Sequence, residues 1–148
     1  TGFIAYAQGW GGLYIRANKL AWKLIDAHPG VGIKNRFGIP DVPERVHWEE
    51  DFALEVGAPG AYDYGPERTS WMTHQLTNWM GDTGFLHKTH CQVRRHNPEG
   101  DMLFIHGKVK RKFVENGKHM VEIAQEARNQ DGEVSAIGTG LVILPNKR

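Results

Sequence analysis

The sequence predicts an α+β fold in which one antiparallel sheet curls around a long central helix. Two observations predict it. Met72, Leu76 and Met80 recur at helical spacing within a stretch from about residue 66 to 80. After that stretch the period of the apolar residues changes to two, which is typical of strands, in four segments at about 86–96, 101–114, 118–129 and 133–144.

The first half of the chain is predicted to be mainly helical. One helix covers about residues 2–9, and a second, with a single apolar stripe, covers about 13–27. The Pro- and Gly-rich residues 29–46 predict an irregular loop. A short helix over about 48–56 ends at Gly57.

The central helix and the strands carry clear boundary signals. Gly65 suits an N-cap and Pro66 suits the first helical position. We expect this helix to bury Met72, Leu76 and Trp79 against the sheet. Short turn sequences between the strands predict an antiparallel meander. The last strand is apolar on both faces and contains glycines, so it should be buried on both sides and lie close to another backbone.

Composition narrows the classes of function. A chain of 148 residues suits one domain, and 18 Lys+Arg against 17 Asp+Glu give no reason to expect nucleic acid as a partner. The lone Cys91 permits no internal disulfide, which favours a reducing compartment. No apolar run approaches the roughly 18 residues that a membrane span needs. We therefore expect a cytoplasmic protein with no membrane partner.

The middle of the chain carries the most informative motif. It reads Val46-His47-x-Glu49-x-x-Phe52-Ala53-x-x-x-Gly57-x-Pro59-Gly60 and is followed by Tyr64-Gly65. In order and spacing it resembles the MaoC-like enoyl-CoA hydratases and dehydratases, and the closing Gly138-x-Gly140-x-Val142-x-Leu144-Pro145 resembles their last strand. The resemblance covers most of residues 41–145. It implies a single hotdog-fold domain over 1–148, with an inserted helix and loop at 10–40 and without the first strand of the fold.

The resemblance also implies site residues. His47 matches the catalytic His, and Gly65 matches a backbone donor at the start of the central helix. The family's Asp, five residues before the His, is replaced by Val42, so Asp41 is the nearest candidate carboxylate. Tyr64 stands where the family has a His. The residues that crowd the helix entrance are candidates for the substrate pocket: Tyr62, Asp63, Tyr64 and Arg68.

The chemistry explains why these residue types would matter. Adding water to an enoyl thioester needs a base for the water and a proton donor for the α carbon. It also needs donors for the enolate-like oxygen, and because Pro66 has no N–H, Gly65 and Glu67 would supply them. A plainer interpretation stays open for each candidate. His47 could be a hydrogen-bonded His before a helix, Asp41 a turn residue, and Gly65-Pro66 an ordinary helix start.

The leading functional expectation is binding of an acyl-CoA thioester, with 2-enoyl-CoA hydratase or 3-hydroxyacyl-CoA dehydratase chemistry. Coenzyme A enters as part of the substrate, and no other cofactor is expected. One alternative is a non-catalytic hotdog subunit that has lost the Asp, and another is a thioesterase that uses Glu67. The resemblance implies a homodimer or pairing with a second hotdog domain. The insertion at 10–40 is expected to cover or reshape the mouth of the pocket.

Two further groups of residues suggest ligands. His87, His90, Cys91 and His96 could suggest a metal, but His90 and Cys91 point to opposite faces of a strand, and no metal is expected. The basic residues are Arg94, Arg95, Lys108, Lys110, Arg111 and Lys112. On neighbouring strands they could bind the phosphates of coenzyme A, or they could form a solvated sheet edge that discourages aggregation.

Overall fold

The computed structural model describes residues 23, 26–28, 33–41 and 43–146, and the chain forms two compact units, Thr1–Tyr64 and Gly65–Arg148. The predicted helix over 2–9 lies outside the described residues. Within the predicted helix over 13–27, Lys23, Asp26 and Ala27 are helical. That the whole chain makes one domain stays a prediction. No helix among the described residues is long and apolar enough to cross a membrane.

The first unit contains a small hairpin where an irregular loop was predicted. Strand β1 (Ile33–Lys34) pairs antiparallel with β2 (Pro40–Asp41). The turn forms because the Asn35 side chain accepts hydrogen bonds from the N–H groups of Phe37 and Ile39, and Gly38 adopts a φ of 72°. A 3₁₀ helix, Pro43–His47, and helix α1, Glu50–Glu55, follow.

The second unit consists of one long helix and one sheet. Helix α2 is Gly65–Met80, and the strands are β3 (Phe85–Val93), β4 (Phe104–Glu115), β5 (Lys118–Arg128) and β6 (Val134–Leu144). All pairs are antiparallel, in the order β3-β6-β5-β4. The predicted meander is therefore wrong for β3, which pairs with β6. The connection from β3 to β4 is no tight turn, and it carries the chain across three strand spacings, about 14 Å.

The core forms between α2 and one face of the sheet, as predicted. Met72 and Leu76 are fully buried. Leu76 packs with Val121, Ile123 and Val142, and Met72 packs with Ala127 and Ala136.

The predicted burial of Trp79 is wrong, because this side chain is 45% exposed. Trp79 lies about 60° around the helix from Leu76, so it points away from the centre of the sheet. It lines an open groove with Leu103 and Ile105 at the β4 side of the helix.

Two glycines of β6 let the helix and a neighbouring strand come close. A Cβ atom on Gly140 would lie 2.4 Å from Cδ1 of Leu76, and one on Gly138 would lie 2.7 Å from the carbonyl oxygen of His90. The predicted close backbone approach is confirmed. The predicted burial of β6 on both faces is wrong, because Ile137 and Thr139 on the opposite face of the strand are exposed.

Candidate functional site

His47 is a buried side chain at the end of the 3₁₀ helix, 8% exposed. Its Nδ1 atom lies 2.9 Å from the carbonyl oxygen of Tyr62. A carbonyl oxygen only accepts hydrogen bonds, so Nδ1 carries the proton. In the neutral ring Nε2 is then the nitrogen with the free lone pair, and it is the one that can take up a proton.

Two tyrosines flank the imidazole with ring edges. The ring centroids of His47 and Tyr62 are 4.7 Å apart at an interplanar angle of 78°, and those of His47 and Tyr64 are 5.2 Å apart at 73°. Both contacts have the edge-to-face geometry that aromatic pairs favour. The structure therefore brings together three of the residues that the sequence suggested for the site.

The loop after α1 brings Tyr62 to His47, and the glycines of the motif permit its course. Gly57 has a φ of 86° and Gly60 a φ of 151°, in a region that side chains rarely adopt. The Glu50 carboxylate accepts a hydrogen bond of 2.7 Å from the N–H of Ala61 and lies about 3.0 Å from where a Cβ on Gly60 would be. These contacts hold the loop against the start of α1.

Arg45 lies in the same 3₁₀ helix as His47 and is also buried. Its guanidinium donates to Glu49 at 2.7 Å and to the carbonyl of Lys34 at 3.1 Å, and it lies 4.3 Å from the centroid of the Phe52 ring. Arg45 thus fastens the hairpin and α1 to the 3₁₀ helix that carries His47. The sequence alone did not reveal the roles of Arg45 and Glu50, although the acidic pair Glu49-Glu50 within the motif was a signal.

Tyr62 and Asp63 form a second polar feature of this unit. Asp63 is 7% exposed. Burial raises the pKa of the Tyr62 phenol, and the negative charge of Asp63 raises it further. The phenol therefore stays protonated well beyond neutral pH and can act as a hydrogen-bond donor.

In the second unit the start of α2 carries the other predicted site residues. Gly65 begins the helix, and Glu67 lies in its first turn with one carboxylate oxygen, Oε2, buried and lacking a hydrogen-bond partner among the described residues. Arg68 is 1% exposed, and its Nη1 donates to the carbonyl oxygens of Arg95 and Ser135. Arg68 thus ties the first turn of the helix to the ends of two strands.

The structure does not bring the remaining candidates from the sequence, Asp41 and the possible metal ligands, together into a site. The structure describes the backbone of Asp41, which pairs with Ile33 in the hairpin, and the side chain lies outside its described part. Among residues 23, 26–28, 33–41 and 43–146, no three His, Cys, Asp or Glu side chains are grouped in a way that could hold a metal ion.

Of the two interpretations of the basic residues, a joint patch on neighbouring strands is wrong. Arg94 and Arg95 follow β3, whereas Lys108, Lys110, Arg111 and Lys112 lie on β4, and β3 and β4 are opposite edges of the sheet. Two of these basic residues also form ion pairs. Arg95 contacts Glu133 at 2.7 Å, and Arg111 contacts Glu122 at 2.5 Å.

Comparisons with known proteins give matches among solved structures. No family model and no curated protein matches the chain. A MaoC-like dehydratase from Rhodospirillum rubrum is 18% identical, with a TM-score of 0.63 over 72% of this chain and 77% of that chain. The (R)-hydratase from A. caviae involved in PHA biosynthesis is 17% identical, with a TM-score of 0.60 over 68% and 76%.

A third match is to a complex of two subunits. In the ChsH1–ChsH2 complex from Mycobacterium tuberculosis, the matched chain is 18% identical, with a TM-score of 0.59 over 68% of this chain and 76% of that chain. Together these similarities confirm the predicted hotdog fold. At this level of identity they concern the fold and leave the reaction to be argued from the residues.

Proposed function

We propose that this hotdog protein binds acyl-CoA thioesters and interconverts 2-enoyl-CoA and 3-hydroxyacyl-CoA, with His47 as the residue that moves the proton. The observation that carries the proposal is the bond from Nδ1 of His47 to the Tyr62 carbonyl, because it presents Nε2 as the basic nitrogen. The fold shared with a hydratase and a dehydratase supports this class of reaction.

The proposed hydration step balances with one water molecule and one imidazole. Nε2 of His47 accepts a proton from water as the water oxygen bonds to C3 of the enoyl group. The electron pair of the double bond moves towards the thioester, and C2 then takes the proton back from Nε2. As a separate proposal, the N–H groups of Gly65 and Glu67 at the start of α2 bind a thioester oxygen that carries negative charge.

The expected rate is low for a hydratase. With Val42 at the position of the family's Asp, the base lacks its expected carboxylate, and losing one member of an acid–base pair costs roughly a hundredfold to ten-thousandfold in rate. Asp41 is proposed as the second group, which would supply the missing carboxylate.

The test is hydration of crotonyl-CoA and of a longer enoyl-CoA, followed by loss of the enoyl absorbance. We expect slow turnover by the parent protein, none above background for His47→Ala, and a further loss for Asp41→Asn. His119→Ala, at an exposed histidine on β5, is the matched control and should keep the parent rate. Turnover that survives His47→Ala would refute the assignment.

A second candidate function is a non-catalytic subunit that binds the thioester and supports an active partner. The substitution at Val42 favours it, and so does the match to a chain of a two-subunit complex. Micromolar binding of an acyl-CoA with no turnover would identify this function. We also propose that the chain pairs with a second copy or with another hotdog domain. Light scattering at micromolar concentration tests this pairing. A monomer mass in the presence of the candidate partner would contradict it.

A further inference from the structure

The backbone of Tyr62 bonds to the last two residues of the 3₁₀ helix. Its carbonyl oxygen accepts a hydrogen bond from Nδ1 of His47 at 2.9 Å, and its N–H donates to the carbonyl oxygen of Val46 at 3.4 Å. The second distance exceeds the usual range for an N–H and a carbonyl oxygen, so that bond is weak. The position of the Tyr62 carbonyl therefore depends on what holds the residues before it.

Glu50 supplies a strong contact one residue before Tyr62. Its Oε2 atom accepts a hydrogen bond of 2.7 Å from the N–H of Ala61. A hydrogen bond to a carboxylate is roughly twice as strong as one between neutral groups. Ala61 is 2% exposed, and proteins satisfy nearly all N–H groups at such positions. If the carboxylate is removed, we expect this part of the loop to shift until the N–H finds another acceptor.

Gly60 lets the carboxylate lie against the loop. A Cβ atom at this position would be 3.0 Å from Oε1 and 3.1 Å from Oε2 of Glu50. Glycine is also the residue with the greatest backbone freedom, so it does little to hold the loop in place. The Glu50 carboxylate therefore supplies a constraint that the backbone at Gly60 does not.

We propose that Glu50 is a positioning residue that sets the tautomer of His47. Its carboxylate fixes Ala61 and so keeps the Tyr62 carbonyl at Nδ1. When that carbonyl moves away, the proton is shared between the two ring nitrogens, and the fraction of rings with a free lone pair on Nε2 falls. The effect on the reaction rests on the proposed function, in which Nε2 is the base, whereas the effect on the tautomer does not.

The test reads the tautomer of His47 from the ¹⁵N chemical shifts of its two ring nitrogens, at a pH where titration of the same signals shows a neutral ring. We expect the parent protein to be almost entirely in the Nδ1–H form. Glu50→Ala should lower the ratio of the Nδ1–H to the Nε2–H form about tenfold. Glu50→Gln should restore most of that ratio, because its amide oxygen can still accept the hydrogen bond from Ala61.

Asp51→Ala is the matched control, since it removes a carboxylate from the next residue in the first turn of α1, which is exposed. It should keep the tautomer of the parent. If Glu50→Ala does not fold, Gly60→Ala takes its place, because the added Cβ displaces the Glu50 carboxylate, and the same shift is expected. An unchanged tautomer in the variant that folds would overturn the inference and leave Glu50 a role in stability alone.

Turnover of crotonyl-CoA separates this inference from the proposed function. If the parent hydrates crotonyl-CoA, Glu50→Ala should lower kcat in proportion to the lost Nδ1–H form and leave KM unchanged. A parent without turnover, together with a shifted tautomer in Glu50→Ala, removes the proposed function and supports the inference. A loss of kcat in Glu50→Ala with the tautomer of the parent overturns the inference and leaves the proposed function in place.

Discussion

Nδ1 of His47 donates a hydrogen bond to the carbonyl oxygen of Tyr62 across 2.9 Å, although the two residues are 15 apart in the chain. The bond closes the segment that contains α1 and the glycine-containing loop after it. Because it sets the tautomer of the ring, the local fold and the proposed chemistry depend on the same contact.

Two substitutions of His47 separate these roles. Asn carries an amide N–H near the position of Nδ1, so His47→Asn should keep the bond to Tyr62, whereas His47→Gln places its amide N–H near Nε2 and loses it. We expect unfolding by urea to show His47→Gln about 1–2 kcal/mol less stable than His47→Asn, and neither variant to hydrate crotonyl-CoA. Equal stability of the two would mean that the bond to Tyr62 contributes nothing.

The raised pKa of Tyr62 predicts how stability changes at alkaline pH. Below the ordinary tyrosine pKa of about 10, the phenol is protonated in both folded and unfolded states, so it adds no pH dependence. Above that pH the unfolded state releases the proton first, and the folded state loses stability as pH rises towards the raised pKa. Between about pH 10 and 11, Tyr62→Phe should therefore lose less stability than the parent. Parallel curves for the two proteins would contradict the raised pKa.

The sequence predicted α2 and the four strands to within a few residues because periodicity is a local property. It could not predict which strands are neighbours, since pairing of β3 with β6 depends on contacts between distant parts of the chain. The separation of Arg94 from Lys108 follows from that order.

The contact between Gly140 and Leu76 predicts a strong effect of one methyl group. A Cβ on Gly140 would lie 2.4 Å from Cδ1 of Leu76, so Gly140→Ala should cost about 2–3 kcal/mol of unfolding free energy. In a Leu76→Ala background the same substitution should cost less than about 1 kcal/mol, since the clashing atoms are gone. Thr139→Ala, at the exposed neighbouring position, is the control. Additive costs in the double variant would show that the helix does not press on this glycine.

Gln125 offers a buried site at which a single charge can be tested. The side chain is 4% exposed, and its Nε2 donates to the carbonyl of Met72 at 2.6 Å and to Oε1 of Gln75 at 2.8 Å. A glutamate in its place can donate to the Met72 carbonyl only when protonated, so burial and the lost bond should raise its pKa above the ordinary value of about 4.3.

The sign of the pH effect follows from that shift. The stability of Gln125→Glu should be close to that of the parent below about pH 4, where the carboxyl is protonated in both states, and should fall as pH rises through the raised pKa. At pH 7.5 we expect a loss of roughly 2–4 kcal/mol. Urea unfolding at pH 4 and pH 7.5 measures it, and Gln92→Glu, at an exposed residue of β3, is the matched control. An equal loss at both pH values would mean that the new carboxyl reaches water and that the interior next to Met72 is open.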